Sequence, residues 1–349
     1  MVPYTVVCLL LMPNRNYFMR NIIVIGASAG GISAIKKVVS GLEPEIDAAI
    51  IVVIHLSKQS NAKNIVGILE RHTTLPCYVA VDDMPIEPGI MYLAQQDHHL
   101  MVKNGMLKIN QGPHENKYRP SIDVLFRSAA VYYGHRVIGI ILTGMLEDGT
   151  SGMWAVKSCG GICVVQNPAE AEYHDMPQSV LNKIKVEHIA NLDDIPDIIK
   201  NITNNQLPRK IQTPQELVIE ASITEQMMTH IDDLSKIADH SNFVCPDCGG
   251  GLWAVKNDPT HRYRCHTGHV YTEKLLNEIQ DTKIEESIWV SIRMLEEKSN
   301  MLLLMEKRNG EDTMRPKYYR DRSSDIDTHI SRLKKLLTVL HKDLHEYDK

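Results

Sequence analysis

Aromatic side chains are scarce in this chain, with three Phe and three Trp among 349 residues and 5% aromatics overall. A base-stacking surface needs more of them, so single-stranded nucleic acid fits poorly as a ligand. Positive charge is not in excess either. The formal net charge of -5 leaves no global basic field to draw nucleic acid or an anionic membrane. Long apolar runs are lacking: the stretch 6–12 falls far short of the roughly 20 residues that cross a bilayer, so no membrane insertion is expected. It does not fit a secretory leader, because Arg15 and Arg20 follow the apolar run instead of preceding it. Residues 1–18 are expected to be a disordered extension, or the result of a start assigned upstream of Met19. A paired cysteine framework is also missing. Of seven cysteines, Cys8, Cys77, Cys159 and Cys163 are scattered among apolar residues, while Cys245, Cys248 and Cys265 cluster. That pattern favours a reducing, cytoplasmic setting.

What is present is an ordinary globular composition, 43% apolar and 23% charged, in a length that suits two domains at about 150 residues each. Between residues 21 and 201, β-branched runs at 22–25, 49–54, 137–142 and 162–165 read as buried strands. Stretches with helical spacing at 32–39, 62–71, 122–133 and 153–158 lie between them. This alternation predicts a doubly wound, mainly parallel α/β sheet. The segment 88–109 carries two apolar runs around Asn104-Gly105, which signals an antiparallel hairpin. Residues 204–214 read as a linker, and 224–237 as a short helix in which Met227 and Met228 pack. Residues 273–307 and 324–347 are strongly helical, with a break at 309–317. Ile330, Leu333, Leu337, Leu340 and Leu344 form a seam suited to a helical hairpin or, as the rival, an intermolecular coiled coil.

Three strand ends carry chemistry. The first strand runs into Gly26-Ala-Ser-Ala-Gly-Gly31, whose spacing is wrong for a dinucleotide fingerprint and which lacks a Walker lysine. Such a turn can hold Ser28 exposed at the start of a helix, near free backbone N–H groups, or Ser28 can simply cap that helix. The second strand ends at His55, a candidate general base for an otherwise weak nucleophile. The third leads into Thr143-Gly-Met-Leu-Glu-Asp-Gly149, where Asp148 can orient an imidazole or cap the next helix, and Glu147 is the competing carboxylate.

Together these segments resemble the catalytic domain of the chemotaxis protein-glutamate methylesterases, the CheB family. Further matching stretches are Pro88-Gly-Ile-Met-Tyr-Leu-Ala94, Arg119-Pro-Ser-Ile-Asp-Val-Leu-Phe126, Leu142-Thr-Gly-Met145, and Gln166-Asn-Pro-Ala-Glu-Ala171 with Met176-Pro177. The likeness covers 19–203. It implies Ser28 as nucleophile, His55 as base, Asp148 as the acid behind it, and the backbone N–H groups of Ala29 and Met145 as oxyanion donors. It also implies hydrolysis of glutamate γ-methyl esters on chemoreceptor helices, with deamidation of glutamine as a related activity and no cofactor for catalysis. Two departures stand out. Leu146 occupies a position where the family usually has glycine, and no receiver domain fits before Met19, so control by phosphotransfer within the chain is not expected.

Beyond 204–240, a linker with a short helix, residues 241–272 read as a zinc-ribbon-like module. Cys245-Pro-Asp-Cys248-Gly-Gly-Gly251 is a two-cysteine knuckle, and a sixteen-residue spacer leads to Cys265-His-Thr-Gly-His269. His269 is expected as the fourth ligand of a structural Zn2+, because adjacent Cys265 and His266 converge poorly on one ion; His261 is a reserve. A similar module follows some methylesterase domains. Residues 273–349 complete the chain as a helical hairpin or coiled coil. His98-His99 invites a metal reading but suits packing in the hairpin, and Arg119 can face the site or brace the backbone. The functional alternatives are an esterase on another substrate and a non-catalytic scaffold of a signalling complex, binding signalling proteins through the C-terminal region.

Overall fold

The computed structural model describes residues 21–56, 60–227, 230–308 and 315–346. The expectations for 1–18 and for Cys8 lie outside the described residues, as do those for Met228 and for 309–314. The chain divides into two units, 1–273 and 274–349.

The first unit is built on a seven-stranded parallel sheet. Its first elements are β1 (Asn21–Ala27), α1 (Gly31–Ser40), β2 (Ala48–Ile54), α2 (Ala62–Leu69), β3 (Cys77–Val79) and β4 (Met91–Leu93). An antiparallel hairpin of β5 (His99–Lys103) and β6 (Met106–Asn110) follows. Next come α3 (Ile122–Tyr133), β7 (Val137–Ile141), α4 (Thr150–Ser158), β8 (Ile162–Gln166), α5 (Asp175–Lys183), β9 (His188–Ala190) and α6 (Ile195–Asn204). The strand order is β3-β4-β2-β1-β7-β8-β9. Every residue of β1 and β2 is buried, as nearly unbroken Ile/Val runs in a sheet covered on both faces require. Alternation then sorts the side chains. Ile22 and Val24 face a core shared with Phe126, Met153 and the hairpin. Ile23 and Ile25 face another, shared with Ile35, Val38 and Ile199.

The hairpin is shorter than the sequence pattern suggests. Residues 91–93 leave it and join the main sheet beside β2, and the turn falls at Asn104 and Gly105, both at positive φ (50° and 83°). Such φ values are what a two-residue hairpin turn demands.

The same unit continues through α7 (Gln215–Gln226) and α8 (Ile231–Ile237) into a four-stranded antiparallel sheet of β10 (Ala238–Val244), β11 (Gly251–Val255), β12 (Arg262–Cys265) and β13 (Val270–Thr272). The helix expected at 224–237 is therefore divided. Met227 ends α7 in a left-handed conformation and is half exposed, so it does not pack as expected. The apolar cluster here is small: Ile223, Leu234, Ile237 and Ala238.

The second unit holds α9 (Glu273–Arg308), apart from its first residue, and α10 (Arg315–Glu346). Helix α10 begins nine residues before the expected 324. Ile330, Leu333 and Leu337 pack against Ile288, Ile292 and Leu295 of α9. The Lys334–Glu296 and Arg320–Glu306 pairs run in opposite senses along the two helices, so they form an antiparallel hairpin. Leu340 is half-buried, and the Leu344 side chain lies outside the described residues.

Candidate active site and metal centre

Strands β1 and β2 end together: Ala27 and Ile54 are partners in the parallel register, and the His55 N–H still donates to the Ala27 carbonyl at 3.1 Å. Ser28 and His55 are thus the first residues beyond the paired ends of neighbouring strands. They lie on the carboxyl edge where open α/β sheets carry their sites, with strands about 4.8 Å apart. The Ser28 N–H donates to Thr143 at the end of β7 at 3.0 Å. A Cβ at Gly144 would collide with Met176 and with the Ser28 side chain, so only glycine lets this loop pass the serine.

The loop after β7 returns Asp148 to His55, whose Nε2 lies 2.8 Å from Asp148 Oδ2 with both side chains buried. Asp148 is seated on the amino end of α3. It accepts the Ile122 N–H at 2.7 Å, the Ser121 hydroxyl at 2.9 Å and the Asn116 amide at 3.0 Å. Free N–H groups and the helix dipole favour a carboxylate there. Burial opposes its charge, but the bond and charge of His55, with Asn116 and the Ile122 amide, hold its pKa below the usual range. Asp123 goes the other way. Burial, then the charge of Asp148, push it up to about 8 against the pull of Arg262 and the Gly152 amide. Each of the two neighbouring carboxylates bears on the other, and they are shifted in opposite directions.

With an ionised acceptor on Nε2, the neutral imidazole carries its proton there and leaves a lone pair on Nδ1. That Nδ1 is buried and has no hydrogen-bond partner among the described residues. The Tyr118 ring stacks on the imidazole, with centroids 3.5 Å apart and planes 8° from parallel. A carboxylate thus fixes one edge of the base and a phenol ring covers its face. Among the described residues, neither the Ala29 nor the Met145 N–H donates to a backbone carbonyl. Leu146 adopts φ 67°, a left-handed conformation that glycine enters freely, which explains the glycine expected there.

The remaining candidates find other places. Glu147 stands 4.0 Å from Lys183, and it is Asp148 that His55 bonds. Arg119 braces the backbone, binding Asp97 at 2.7 Å and the carbonyls of Gln111 and Gly112. His99 is buried between the Pro113 carbonyl at 2.8 Å and the Ser121 N–H at 3.3 Å, and burial lowers its pKa. His98 bonds the Gln96 carbonyl. Four residues were given no role by the sequence: Asn116 and Tyr118, which lie outside the matching stretches, and Ser121 and Asp123, which lie inside the matching stretch 119–126.

A profile of the CheB methylesterase family matches residues 23–199. The chain belongs to the CheB methylesterase family. A relative from Leptospira interrogans is 34% identical over 189 residues, which are 54% of this chain and 97% of its own length. Relatives from Anaeromyxobacter dehalogenans (32% identical over 52% of this chain and 53% of theirs) and Salmonella typhimurium (34%, 50% and 50%) are named protein-glutamate methylesterase/protein-glutamine glutaminase. The chain therefore spans about half the length of these two. The CheB methylesterase catalytic domain of Thermotoga maritima aligns with a TM-score of 0.50 at 29% identity, covering 52% of this chain and 97% of that one. The CheB fold thus accounts for the parallel-sheet part, and the cysteine module lies beyond the matched residues.

In that module, Cys245, Cys248, Cys265 and His269 bring their ligand atoms within 4.8 Å of one another. Cys248 Sγ and Cys265 Sγ are 3.8 Å apart, and His269 Nδ1 is 3.5 Å from Cys265 Sγ and 3.7 Å from Cys245 Sγ. A tetrahedron with metal–sulfur arms of about 2.3 Å has edges of about 3.8 Å, so the donor set fits a tetrahedral ion. Tyr271 supports it from outside, its hydroxyl 3.1 Å from Cys245 Sγ and 2.8 Å from Asp247. His266 packs on Gly250 instead, and His261 is exposed. Among the described residues no helix is long and apolar enough to cross a membrane.

Proposed function

We propose that this chain is a protein-glutamate methylesterase, acting on glutamate γ-methyl esters of chemoreceptor cytoplasmic helices, with glutamine deamidation as the activity paired with it in the names of its relatives. The observation that carries the reading is the buried 2.8 Å His55–Asp148 pair, at the end of the strand paired with the one that leads into Ser28, with the second imidazole nitrogen unbonded among the described residues. In this reading Ser28 Oγ attacks the ester carbonyl as His55 Nδ1 takes its proton. Asp148 keeps the imidazole oriented and stabilises the imidazolium. The N–H groups of Ala29 and Met145 receive the oxyanion. His55 then returns the proton to the departing methoxide, and methanol leaves. Water, deprotonated by His55, hydrolyses the acyl-serine to glutamate and restores Ser28.

The cysteine module in this reading holds one structural Zn2+ on Cys245, Cys248, Cys265 and His269, all four positions being protein ligands. The ion would fix the fold of β10–β13, and the hydrolysis uses no cofactor. A cytoplasmic location suits free thiols and receptor tails. Methanol release from a methylated chemoreceptor by the full chain tests the reading. Ser28→Ala is expected to abolish nearly all release, as loss of the nucleophile costs about 10⁶ in a well-studied serine protease. Release that survives Ser28→Ala overturns it. No release on any receptor, with a stable receptor complex, favours the scaffold.

A further inference from the structure

The turn Glu115–Tyr118 between β6 and α3 is closed on itself, Glu115 N–H to Tyr118 O at 3.3 Å and Tyr118 N–H to Glu115 O at 3.0 Å. Asn116 and Lys117 both sit at positive φ, 53° and 68°. This is the geometry of a tight two-residue hairpin turn, in which Asn is a favoured residue and Lys117 a less usual one. The cysteine module packs against it. The Asn116 N–H donates to Val270 O at 2.9 Å, and the Val270 N–H reaches His114 O at 3.4 Å. Val270 directly follows His269, and β12 contributes Arg264, whose guanidinium binds Glu115 at 2.8 Å. Both Glu115 and Arg264 are fully buried.

On its other side the same turn touches the base and its acid. The Asn116 amide bonds Asp148 at 3.0 Å and Asp123 at 2.8 Å, and Tyr118 covers the His55 ring. From Val270, next to His269, the path to the imidazole thus runs through three hydrogen bonds, by way of Asn116 and Asp148, or along the turn to the Tyr118 ring.

We propose that the cysteine–histidine module is a working part of the esterase: it clamps the turn Glu115–Tyr118, and through Asn116 and Tyr118 as positioning residues it holds the His55–Asp148 pair in register with Ser28. This rests on the esterase reading above. A loosened module then lowers the reactivity of Ser28 without touching the substrate. Ångström-scale misplacement of a base costs about 10²-fold, so effects of roughly 10- to 100-fold on kcat are expected with little change in KM.

The test uses the full chain and two readouts: the rate at which a fluorophosphonate probe labels Ser28, and amide hydrogen exchange at residues 114–118. Tyr118→Ala should slow labelling and lower kcat with KM nearly kept, and Tyr118→Phe, which keeps the ring, should recover most of the loss. Arg264→Met and treatment with a zinc chelator should slow labelling in the same way and speed exchange at 114–118 while β1 and β2 stay protected. Unchanged labelling and exchange under both treatments overturns the clamp. So does Tyr118→Phe as damaged as Tyr118→Ala, since ring stacking would then not be the operative contact. Failure of the esterase reading looks different: the untreated chain would not label, or would label equally in Ser28→Ala.

Discussion

The parallel sheet and the cysteine module lie in one compact unit but are held by opposite means. The sheet buries two continuous apolar layers, one on each face. The module itself buries Leu252, Val270 and Tyr271, with a cluster of four apolar residues from α7, α8 and the start of β10 nearby, and beside them lies a charged core. Arg127 of α3, Arg262 and Arg264 of β12, Glu115, Glu220 of α7, and Asp258 are all buried. Arg262 joins Glu220 at 2.8 Å and Asp258 at 2.6 Å, Arg264 bridges Glu115 and Glu220, and Arg127 reaches both acids. Three cations meet three anions, so the cluster is balanced in charge. Burial of apolar area tolerates changes of pH, salt and metal; a charged core tolerates none of them well. The module is therefore the region through which conditions should reach the protein.

Metal removal should separate the two regions most. Zinc contributes roughly 10 kcal/mol or more to the folding of small ligand sets of this kind. Chelation is expected to release one ion per chain and to abolish hydrogen-exchange protection in β10–β13, with β1, β2 and β7 still protected. Equal loss in both regions would break the comparison. Next come single core substitutions, one in each region. Arg262→Met leaves Asp258 and Glu220 underpaired and should cost about 3–5 kcal/mol, with weakened metal retention. Phe126→Ala should cost a similar ~3–5 kcal/mol by opening a cavity in the sheet core, with metal retained. Denaturant unfolding and metal content read both.

The smallest effect is on acid stability. Burial works against the Glu115 charge, but Arg127 and Arg264 bring its pKa down to about 2 from an ordinary 4.5. A depressed carboxylate stabilises the native state above its unfolded pKa and loses that contribution as the pH falls. The window is therefore pH 4.5 down to 2, worth on the order of 3 kcal/mol. Glu115→Gln should be less stable than wild type at neutral pH, and the difference should shrink through that window in pH-dependent unfolding. A constant difference would mean that Glu115 acts by shape, not charge.

The two regions also differ in how far they could be read from residue order. Strands β1, β2, β7 and β8 stood out because a strand buried on both faces has to be almost wholly apolar, and their ends located Ser28, His55 and Asp148. The three cysteines and His269 stood out because thiolates and an imidazole that are to share one ion need such a spacing. Asn116 and Tyr118 left no such trace. Their roles depend on what the turn touches, Val270 and Arg264 on one side and Asp148 and His55 on the other, and nothing local announces those contacts. The split at Met227 was hidden for a related reason: a left-handed helix end on methionine follows no propensity, and tertiary packing decides it. The seat of Asp148 on α3 was equally hidden, because the acid and the helix that stabilises it come from separate segments.

The balanced ring of six charges constrains how such a protein can change. Removing any one member strands another in a dry interior, so the first step of dismantling is costly and only the completed set is comfortable again. The module could not be grafted onto another esterase by moving residues 241–272 alone. The graft would have to carry α7 with Glu220, and the recipient would need Glu115 and Arg127 already in place. Esterase and appendage are expected to be inherited as one block.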